Sequence, residues 1–347
     1  MRVLTTGGLG FLGSHFIKTL LRDPDNFVVN IDRQDPCSTR TMCESTEKYI
    51  FVKGDINEPG LVSELIMKYN IGYVAHFSAQ SHVDLSFSCS RSHVVDNILG
   101  THTVLEAMRE CHPKNGVKMC MVSSDEVYGE NKGDEAKTET SLMAPSSPYS
   151  ASKAGSELLC NAYVESFKIP IVIVRGNNAY SGSQFPEKCI PRFITLLLAN
   201  KPITIQGSGK QKRCFIHSQD FVNAVLCVME KGDYGGQVYN IGSDTEITIL
   251  ELASVLAKLM NRELVINYVE DRNFNDSRYL ISAEKLKALN WVQKVPFIEG
   301  LRETIAWYES PEAKNYWMEE FKFPDVKLVE PPKNQEETSS KRQKVSA

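Results

Sequence analysis

Five side chains between positions 124 and 153 have the types and spacing that proton-transfer chemistry needs. Ser124, Asp125 and Glu126 are consecutive, and Tyr149 and Lys153 follow with three residues between them. A hydroxyl, two adjacent carboxyls, a phenol and an ammonium can together supply every proton transfer of an oxidation coupled to loss of water. The sequence therefore predicts an enzyme.

Two predicted elements position these side chains. An apolar run at 117–122 predicts a buried strand, so the polar residues after it should emerge at the carboxyl edge of a parallel sheet. Tyr149 begins a helix predicted over 150–167, and Lys153 lies one turn further on, so both project from one face. A nearby ammonium favours the phenolate, which would let Tyr149 act as a base near neutral pH. The alternatives are an exposed helix start for this pair and a helix cap for the two acids.

Three glycines near the start of the chain have the spacing of a phosphate-binding turn. Gly7, Gly10 and Gly13 follow a short apolar strand and precede an amphipathic helix over 14–22. Small residues let the backbone turn tightly and approach a pyrophosphate, while the N-terminal N–H groups of the helix face its charge. Turns also collect glycine, but the strand before and the helix after favour a dinucleotide site.

Acidic residues close the next two predicted strands. Asp32 follows a strand over 27–31, where a carboxylate can accept hydrogen bonds from the adenosine ribose and would repel a 2′-phosphate. This favours NAD over NADP, although Arg33 beside it weakens the inference and a solvated turn acid is the alternative. Asp55 closes a third short strand over 51–56, where it is placed to touch the adenine.

Composition excludes several classes of protein. The 347 residues are 42% hydrophobic, enough for a large core in one large or two modest domains. A net charge of −4 provides no broad basic field for nucleic acid or an anionic membrane. The nine cysteines include no Cys-x-x-Cys pair, and we find no signal peptide and no membrane-spanning run. We therefore expect a cytoplasmic protein with reduced thiols and no metal site.

The order of the predicted elements indicates an α/β fold. We expect a Rossmann-type doubly wound parallel sheet and a smaller α/β substrate-binding domain built from C-terminal segments. The Rossmann domain is predicted over 1–175 and about 206–239, and the smaller domain over about 176–205 and 240–310. A stretch almost without apolar residues at about 329–347 predicts a disordered tail.

These motifs together resemble a known family. The glycine triad, Asp32 and the spacing Tyr149-x-x-x-Lys153 are similar to those of extended short-chain dehydrogenases/reductases, from residue 1 to about 308. Within that family, the run at 124–129, Ser-Asp-Glu-Val-Tyr-Gly, resembles the active-site signature of nucleotide-sugar 4,6-dehydratases. The resemblance implies a lyase that holds NAD tightly and regenerates it in each turnover.

Other segments bear on the substrate. The runs at 184–188 and 271–279 resemble dehydratase substrate segments, and the run at 175–178 is most similar to the UDP-glucose 4,6-dehydratase domain of plant-type rhamnose synthases. Bacterial dTDP-glucose enzymes are similar too. Thr204 and Gln206 stand where those relatives often have Pro and Tyr against the base, which leaves uracil and thymine both open.

The resemblance also implies two sets of binding residues. The NAD groove would be formed by Gly7, Gly10, Phe11, Leu12, Gly13, Asp32, Asp55, Ile56, Ser78, Ala79, Asn97, Tyr149 and Lys153. The nucleotide sugar would be held by Ser81, Ser124, Asn178, Lys188, Arg213, Asn240, Arg272 and Asp276. Arginine suits a diphosphate because its planar guanidinium can pair two phosphate oxygens at once.

The resemblance assigns each reactive side chain a role. Tyr149 would take the proton of the C4 hydroxyl, with Ser124 sharing the hydrogen bond, as hydride passes from C4 to NAD. Glu126 would take the C5 proton, and Asp125 would protonate the departing C6 hydroxyl. From UDP-glucose the product is UDP-4-keto-6-deoxy-glucose, on the way to UDP-rhamnose or a related deoxysugar.

Four rivals share parts of this pattern. A sugar-nucleotide 4-epimerase and a UDP-glucuronate decarboxylase use the same Tyr/Lys pair, but neither needs an acid to expel a hydroxyl, so Asp125 beside Glu126 argues against both. A GDP-mannose dehydratase usually lacks this aspartate and prefers NADP. A non-catalytic NAD-binding regulator has no need of the five reactive side chains. Apolar faces on helices predicted over 97–111 and 150–167 favour a homodimer.

Overall fold

A seven-stranded parallel sheet forms the centre of the protein, as the computed structural model shows for residues 1–323 and 327–332. In spatial order its strands are β10 (Gly235–Ile241), β6 (Ile171–Gly176), β5 (Lys118–Ser124), β4 (Tyr73–His76), β1 (Arg2–Thr6), β2 (Phe27–Asp32) and β3 (Tyr49–Lys53). The prediction of a Rossmann-type doubly wound sheet is confirmed.

Helices cover both faces of this sheet because successive strand residues point to opposite sides. Val3 packs into one apolar cluster with Phe16 and Val225, and Leu4 packs into the other with Leu65 and Leu105. The first cluster includes residues of α1 (Phe11–Leu20) and α8 (Ser218–Lys231). The second includes residues of α2 (Leu61–Lys68), α5 (Gly100–Asn115) and α6 (Pro148–Phe167).

The order of the strands reverses between β1 and β4. From β1 the chain proceeds to β2 and β3 on one side, and then crosses to β4, β5 and β6 on the other. The connections on the two sides of this point diverge, so a crevice opens beyond the carboxyl ends of β1 and β4. Both the glycine turn and the acid pair follow strands that end at this edge.

Two small sheets pack with three helices beside the large sheet. One sheet has the order β11 (Glu246–Thr248), β9 (Lys212–His217) and β7 (Asn178–Tyr180), and the other pairs β12 (Ile266–Val269) with β8 (Ile203–Gln206). They share an apolar cluster with α7 (Cys189–Leu198), α9 (Ile249–Leu259) and α11 (Phe297–Glu309). The short helix α10 (Glu284–Lys287) adds Leu286 to the core of the large sheet.

Strand β9 lies in the segment 206–239 that was predicted to belong to the Rossmann domain. It pairs with β7 and β11 and not with the large sheet, although its Ile216 packs in the first apolar cluster of that sheet. The reason is long-range pairing, because the short apolar run Phe215-Ile216 contains nothing that selects one sheet over another. The domain boundaries themselves stay a prediction.

The helical region before β5 starts earlier than the expected 97–111. It runs through α3 (Val83–Ser88), α4 (Ser90–His93) and a π-helical turn (Val94–Leu99) before α5. The four serines and one cysteine at 86–92 lack the apolar periodicity that marks a helix in sequence, so tertiary packing decides this stretch. A π-turn often marks a functional site, and here it carries Asp96 to the crevice.

The end of the described chain is partly attached to the fold. Leu328 forms an isolated bridge with Val269, and the Val329 N–H donates to the carbonyl of Tyr268. Val329 is therefore attached at the start of the predicted tail, about 329–347, and most of that prediction, over 333–347, lies outside the described residues. Within the described part of the chain, no helix is long and apolar enough to cross a membrane.

Candidate active site

A cavity of about 970 Å³ occupies the crevice at the carboxyl edge of the sheet. Its volume suits a large ligand, because pockets for drug-sized molecules span roughly 300–1,000 Å³. The glycine turn lies at one end, and three basic side chains lie at the other. Between them, the wall includes Ser124, Glu126, Tyr149 and Lys153, which the sequence placed together.

The glycine turn lets two backbone segments approach closely. Gly7 has φ +70°, a conformation that L side chains rarely adopt, and a Cβ there would meet the Ser78 Cα at 2.8 Å. A Cβ at Gly13 would lie 2.4 Å from the Gly7 carbonyl oxygen, so any larger residue there would push the first turn of α1 away from the glycine turn. The turn is therefore shaped for a pyrophosphate at the start of α1, and these residues fit a dinucleotide.

The end of β2 bears on the choice between NAD and NADP. Asp32 is on the cavity wall, its carboxylate accepts the backbone N–H groups of Leu9 and Gln34, and burial raises its pKa. Arg33 makes a bidentate pair with Asp96, at 2.9 and 2.7 Å, and contacts two further acids, Asp35 and Asp55. Because its guanidinium is already paired with acids, Arg33 is poorly placed to bind a 2′-phosphate. Arg33 therefore does not weaken the preference for NAD that Asp32 indicates.

The Tyr149 and Lys153 side chains are both buried in the wall, at 8% and 4% exposure. The Lys153 ammonium donates to the Val122 carbonyl at 2.8 Å, and burial lowers the pKa of Lys153 to about 8. Burial and the charge of Glu126 raise the pKa of Tyr149 well above its usual range. The predicted role of Tyr149 as a base near neutral pH counts on the positive charge of a nicotinamide as well as on Lys153, and it stays a prediction.

The acid pair sits in a 3₁₀ turn (Asp125–Tyr128) directly after β5, where Ser124 caps the turn by accepting the Glu126 N–H. Burial raises the pKa of Asp125 to about 6, and burial together with the Asp125 charge raises that of Glu126 to about 7. Both carboxyls can therefore exchange protons near neutral pH. The assignment of Asp125 as the acid and Glu126 as the base stays a prediction.

The two acids differ in their access to the cavity. Glu126 is part of the wall, whereas Asp125 is not among the lining residues and lies behind Ser124 and Asn177. The tight 3₁₀ turn aims consecutive side chains in different directions, which the sequence pattern alone did not reveal.

Basic side chains line the end of the cavity away from the glycine turn. Lys188, Arg213 and Arg272 are all on the wall, as expected for a diphosphate site. Arg272 lies 2.5 Å from Asp84, and Lys188 donates to the Ser81 carbonyl. These contacts hold the cations at the wall.

Most predicted binding residues line the cavity. Besides those already named, the wall includes Gly7, Gly10, Phe11, Leu12, Gly13, Asp55, Ile56, Ser78, Ala79, Ser81 and Asn178.

Three predicted binding residues are not among those that line this cavity, and their binding roles stay predictions. Asn97 is 1% exposed and braces the loop after β4 by pairing both backbone polar groups of Gln80. Asn240 is fully buried and accepts the Tyr128 hydroxyl at 2.8 Å. Asp276 accepts the hydroxyls of Ser146 and Tyr279, and Tyr279 itself lines the cavity. All three side chains are held by hydrogen bonds to segments distant in sequence.

The structure adds wall residues that the sequence did not single out. Asn177, Phe193 and Gln211 line the substrate end, and Arg192 lies beside them. Residues 319–322 line the cavity from the far end of the described chain. Of these residues, only Asn177 could have been found from the sequence, because it follows a predicted buried strand and precedes the predicted ligand Asn178.

Fold and site together define a Rossmann-type enzyme of the extended short-chain dehydrogenase/reductase class, as the resemblance implied. The profile of the family described as GDP-mannose 4,6 dehydratase matches residues 4–304. Because that match covers most of the sequence, the chain belongs to this family.

Two relatives illustrate the similarity. The dTDP-D-glucose 4,6-dehydratase of Mus musculus is 40% identical over 344 residues, which cover 95% of this chain and 94% of that protein. A trifunctional UDP-glucose 4,6-dehydratase/UDP-4-keto-6-deoxy-D-glucose 3,5-epimerase/UDP-4-keto-L-rhamnose-reductase of Arabidopsis thaliana is 41% identical over 320 residues. That match covers 89% of this chain and 47% of the plant protein, so the chain spans about half of its length.

Solved structures agree with the fold. DesIV, a dTDP-glucose 4,6-dehydratase from Streptomyces venezuelae solved with NAD and TYD bound, has a TM-score of 0.86 and 33% identity. The comparison covers 92% of this chain and 99% of that one. The UDP-glucose 4-epimerase of Thermus thermophilus, solved with NAD, has a TM-score of 0.82 and 27% identity, covering 90% and 100%. The fold alone therefore does not separate dehydration from epimerisation.

Proposed function

We propose that this protein converts UDP-glucose to UDP-4-keto-6-deoxy-glucose, with dTDP-glucose as the alternative substrate. The reaction class is that of a nucleotide-sugar 4,6-dehydratase, an NAD-dependent hydro-lyase. The observation that carries the proposal is the acid pair, with Asp125 buried and Glu126 on the wall of a cavity that Tyr149, Lys153, the glycine turn and the basic side chains also line.

The first step would use Tyr149 as the base for the C4 hydroxyl. The chemistry that NAD would supply is to accept hydride from C4 and return it to C6. The positive charge of its nicotinamide would also lower the pKa of Tyr149, which burial raises. Ser124 would hold the C4 hydroxyl from the same wall. Lys153, one helical turn further on, would stabilise negative charge on the phenol while it remains protonated, below a pH of about 8.

The second step would use the acid pair. A C4 ketone makes the C5 proton acidic, and Glu126 is the carboxyl that faces the cavity to take it. Asp125 would give a proton to the C6 hydroxyl, which leaves as water. Both carboxyls have a pKa raised toward neutral pH, so one can be protonated while the other is ionised, as these two roles require.

The acid pair is also what separates this proposal from its rivals. An epimerase with the same fold needs no acid to expel a hydroxyl, and a buried unused carboxyl costs stability. The paired Arg33 and the carboxylate of Asp32 favour NAD over the NADP preferred by GDP-mannose enzymes.

The base subsite supports both pyrimidines. Thr204 and Gln206 line the cavity, and the Gln206 amide donates to Asp84 at 3.3 Å. A single methyl on the base is worth only about 1 kcal/mol in a pocket. The similarity of the run at 175–178 to the plant enzymes favours UDP-glucose, while the mouse relative, matched over nearly its whole length, favours dTDP-glucose.

The deciding experiment is mass spectrometry of the products formed from UDP-glucose and dTDP-glucose, offered separately at equal concentration with catalytic NAD. We expect loss of one water from the sugar, and the ratio of rates identifies the preferred base. An isomer of unchanged mass would contradict the proposal and point to epimerisation. No change in either sugar despite NAD binding would favour a regulator.

Two finer expectations extend the proposal. All nine cysteines are free, which is consistent with a reducing, cytoplasmic location. A homodimer would cover Leu158 on α6 and Leu99 and Val94 on the π-turn, which are 57%, 48% and 50% exposed. No nucleic acid or membrane partner is proposed, because the chain offers no broad basic field.

A further inference from the structure

The side chain of Asn177 connects the end of β6 to the acid pair. Its Nδ2 lies 2.7 Å from Asp125 Oδ2, and its Oδ1 lies 2.9 Å from the backbone nitrogen of Ser243. Its own backbone N–H donates to the Ile241 carbonyl at 3.0 Å. Asn177 is 3% exposed and lines the cavity, so it is fixed on three sides beside the predicted acid.

The orientation of the Asn177 amide follows from its partners. A backbone N–H can only donate, so the atom that faces Ser243 must be the carbonyl oxygen. The NH₂ group must then face Asp125, and the oxygen and nitrogen cannot exchange places without leaving both neighbours unpaired. Asp125 Oδ2 therefore always faces a donor.

The other oxygen of Asp125 faces the wall of the cavity. Asp125 Oδ1 accepts the Ser124 hydroxyl, with 3.3 Å between the two oxygens, and Ser124 lines the cavity. The Asn177 NH₂ group can only donate, so a proton on Oδ2 would point at another hydrogen, whereas the Ser124 hydroxyl can rotate and accept a proton from Oδ1. A proton on Asp125 is thus directed to Oδ1, the oxygen beside the wall residue Ser124.

We propose that Asn177 is a positioning residue that places the transferable proton of Asp125 on Oδ1 and stabilises the carboxylate formed when that proton leaves. This inference rests on the proposed function. In the elimination, Glu126 takes the C5 proton, and the C5–H electron pair forms the C5–C6 double bond. The C6–O bond breaks with its electrons, the oxygen receives the Ser124 hydroxyl proton while Ser124 takes the Asp125 Oδ1 proton, and water departs. Asp125 then accepts hydrogen bonds at both oxygens, from Asn177 and Ser124.

The electrostatics of the site are consistent with this role. Burial raises the pKa of Asp125 to about 6, and the Asn177 hydrogen bond opposes part of that rise. A general acid works best when its pKa lies near the working pH, so a donor that keeps Asp125 from becoming too weak an acid assists its chemistry.

The test uses the full-length protein with bound NAD and the variant Asn177→Asp. This nearly isosteric change keeps an acceptor for the Ser243 N–H but sets a carboxylate oxygen against Asp125 Oδ2. In a single turnover, C4 oxidation is measured by the near-ultraviolet absorbance of reduced nicotinamide, and water loss by mass spectrometry. We expect oxidation to stay within about threefold of wild type while water loss falls roughly 100-fold, the scale of general acid catalysis.

The matched control is Asn70→Asp, which adds the same charge at the turn after α2, outside the cavity wall. A purely structural role for Asn177 would slow oxidation and water loss by the same factor, and that result would overturn the inference, as would no change in either. If Asn177→Asp fails to fold, as judged by circular dichroism and NAD content, Asn177→Ala decides by the same comparison of the two steps.

The pH dependence gives a second readout. Asn177→Ala removes a donor that lowers the Asp125 pKa, so this pKa should rise. The alkaline limb of the pH profile, where the rate of water loss declines, should then move to higher pH, while the alkaline limb for C4 oxidation stays in place. An alkaline limb that does not move contradicts the proposed positioning. Absence of water loss in the wild-type protein with either sugar would instead contradict the proposed function.

Discussion

At the scale of single residues, the reactive groups of this protein are set by burial more than by neighbouring charges. Desolvation is the largest cause of the shifted pKa of Asp125, Glu126, Tyr149 and Lys153 alike. Withdrawal from water disfavours whichever form is charged, so it raises the pKa of acids and lowers that of the lysine. The cavity thus moves three of these groups, the two carboxyls and the lysine, toward neutral pH.

Glu126 should destabilise the fold as the pH rises. Its folded pKa of about 7 lies above the ordinary value of 4.5, so its stabilising protonated form is fully present below about 4.5 and is lost as the pH rises through about 7. Glu126→Gln stays neutral throughout. We expect its free energy of unfolding to exceed that of wild type by an amount that grows over this window to on the order of 3 kcal/mol.

Denaturant unfolding at a series of pH values measures this difference. Glu47→Gln, an exposed glutamate before β3, is the control and should follow the wild-type curve. A Glu126→Gln difference that is constant with pH would mean that the burial of Glu126 does not shift its pKa.

At the scale of elements, a buried ion pair joins the central sheet to the helix that carries Tyr149. Arg175 on β6 pairs with Glu157 on α6, with Nη2–Oε2 at 2.6 Å and exposures of 4% and 0%. The Arg175 guanidinium also stacks over the Tyr128 ring, with 4.6 Å to its centroid. These contacts hold α6, which carries Tyr149, against the turn that carries Asp125 and Glu126. They therefore help to set the distance between Tyr149 and the two acids.

Breaking that pair from one side should be costly. Arg175→Met leaves Glu157 charged and buried without a partner, and we expect a loss of about 3–5 kcal/mol in the free energy of unfolding. The double variant Arg175→Met with Glu157→Leu removes both charges and should recover most of that loss. Urea unfolding with comparable slopes measures both, and equal stabilities for the single and double variants would contradict this account.

At the scale of the whole molecule, the helices around α6 present a group of exposed apolar side chains. Leu158, Leu99 and Val94 are each about half exposed, which is unusual for large aliphatic residues in one region. A two-fold axis would bury the same patch on both copies, because a symmetric interface is self-complementary.

We therefore expect sedimentation equilibrium to give the mass of two chains. Leu158→Glu places two like charges in the shared patch, one from each copy, and should produce single chains at micromolar concentration. Leu142→Glu is the control, because Leu142 is 87% exposed on the loop before α6 and outside the patch. A wild-type mass of one chain would disprove the dimer.

The features that depend on neighbouring residues could be predicted from the sequence. They are the glycine spacing, Asp32 at the end of β2, the parallel sheet, and the reactive residues after β5 and at the start of α6. Strand ends and helix starts are encoded by adjacent residues, and parallel strands bring such ends to one edge.

Which of these side chains reach the cavity was decided by tertiary contacts. Asp125 lies behind the wall, Asn97 and Asn240 serve as braces, and Arg33 is held by acids from other loops. Asn177 reaches the acid pair from a strand end 52 positions beyond Asp125. The physical reason is that side-chain direction and burial depend on hydrogen bonds between segments distant in sequence, which no local pattern contains.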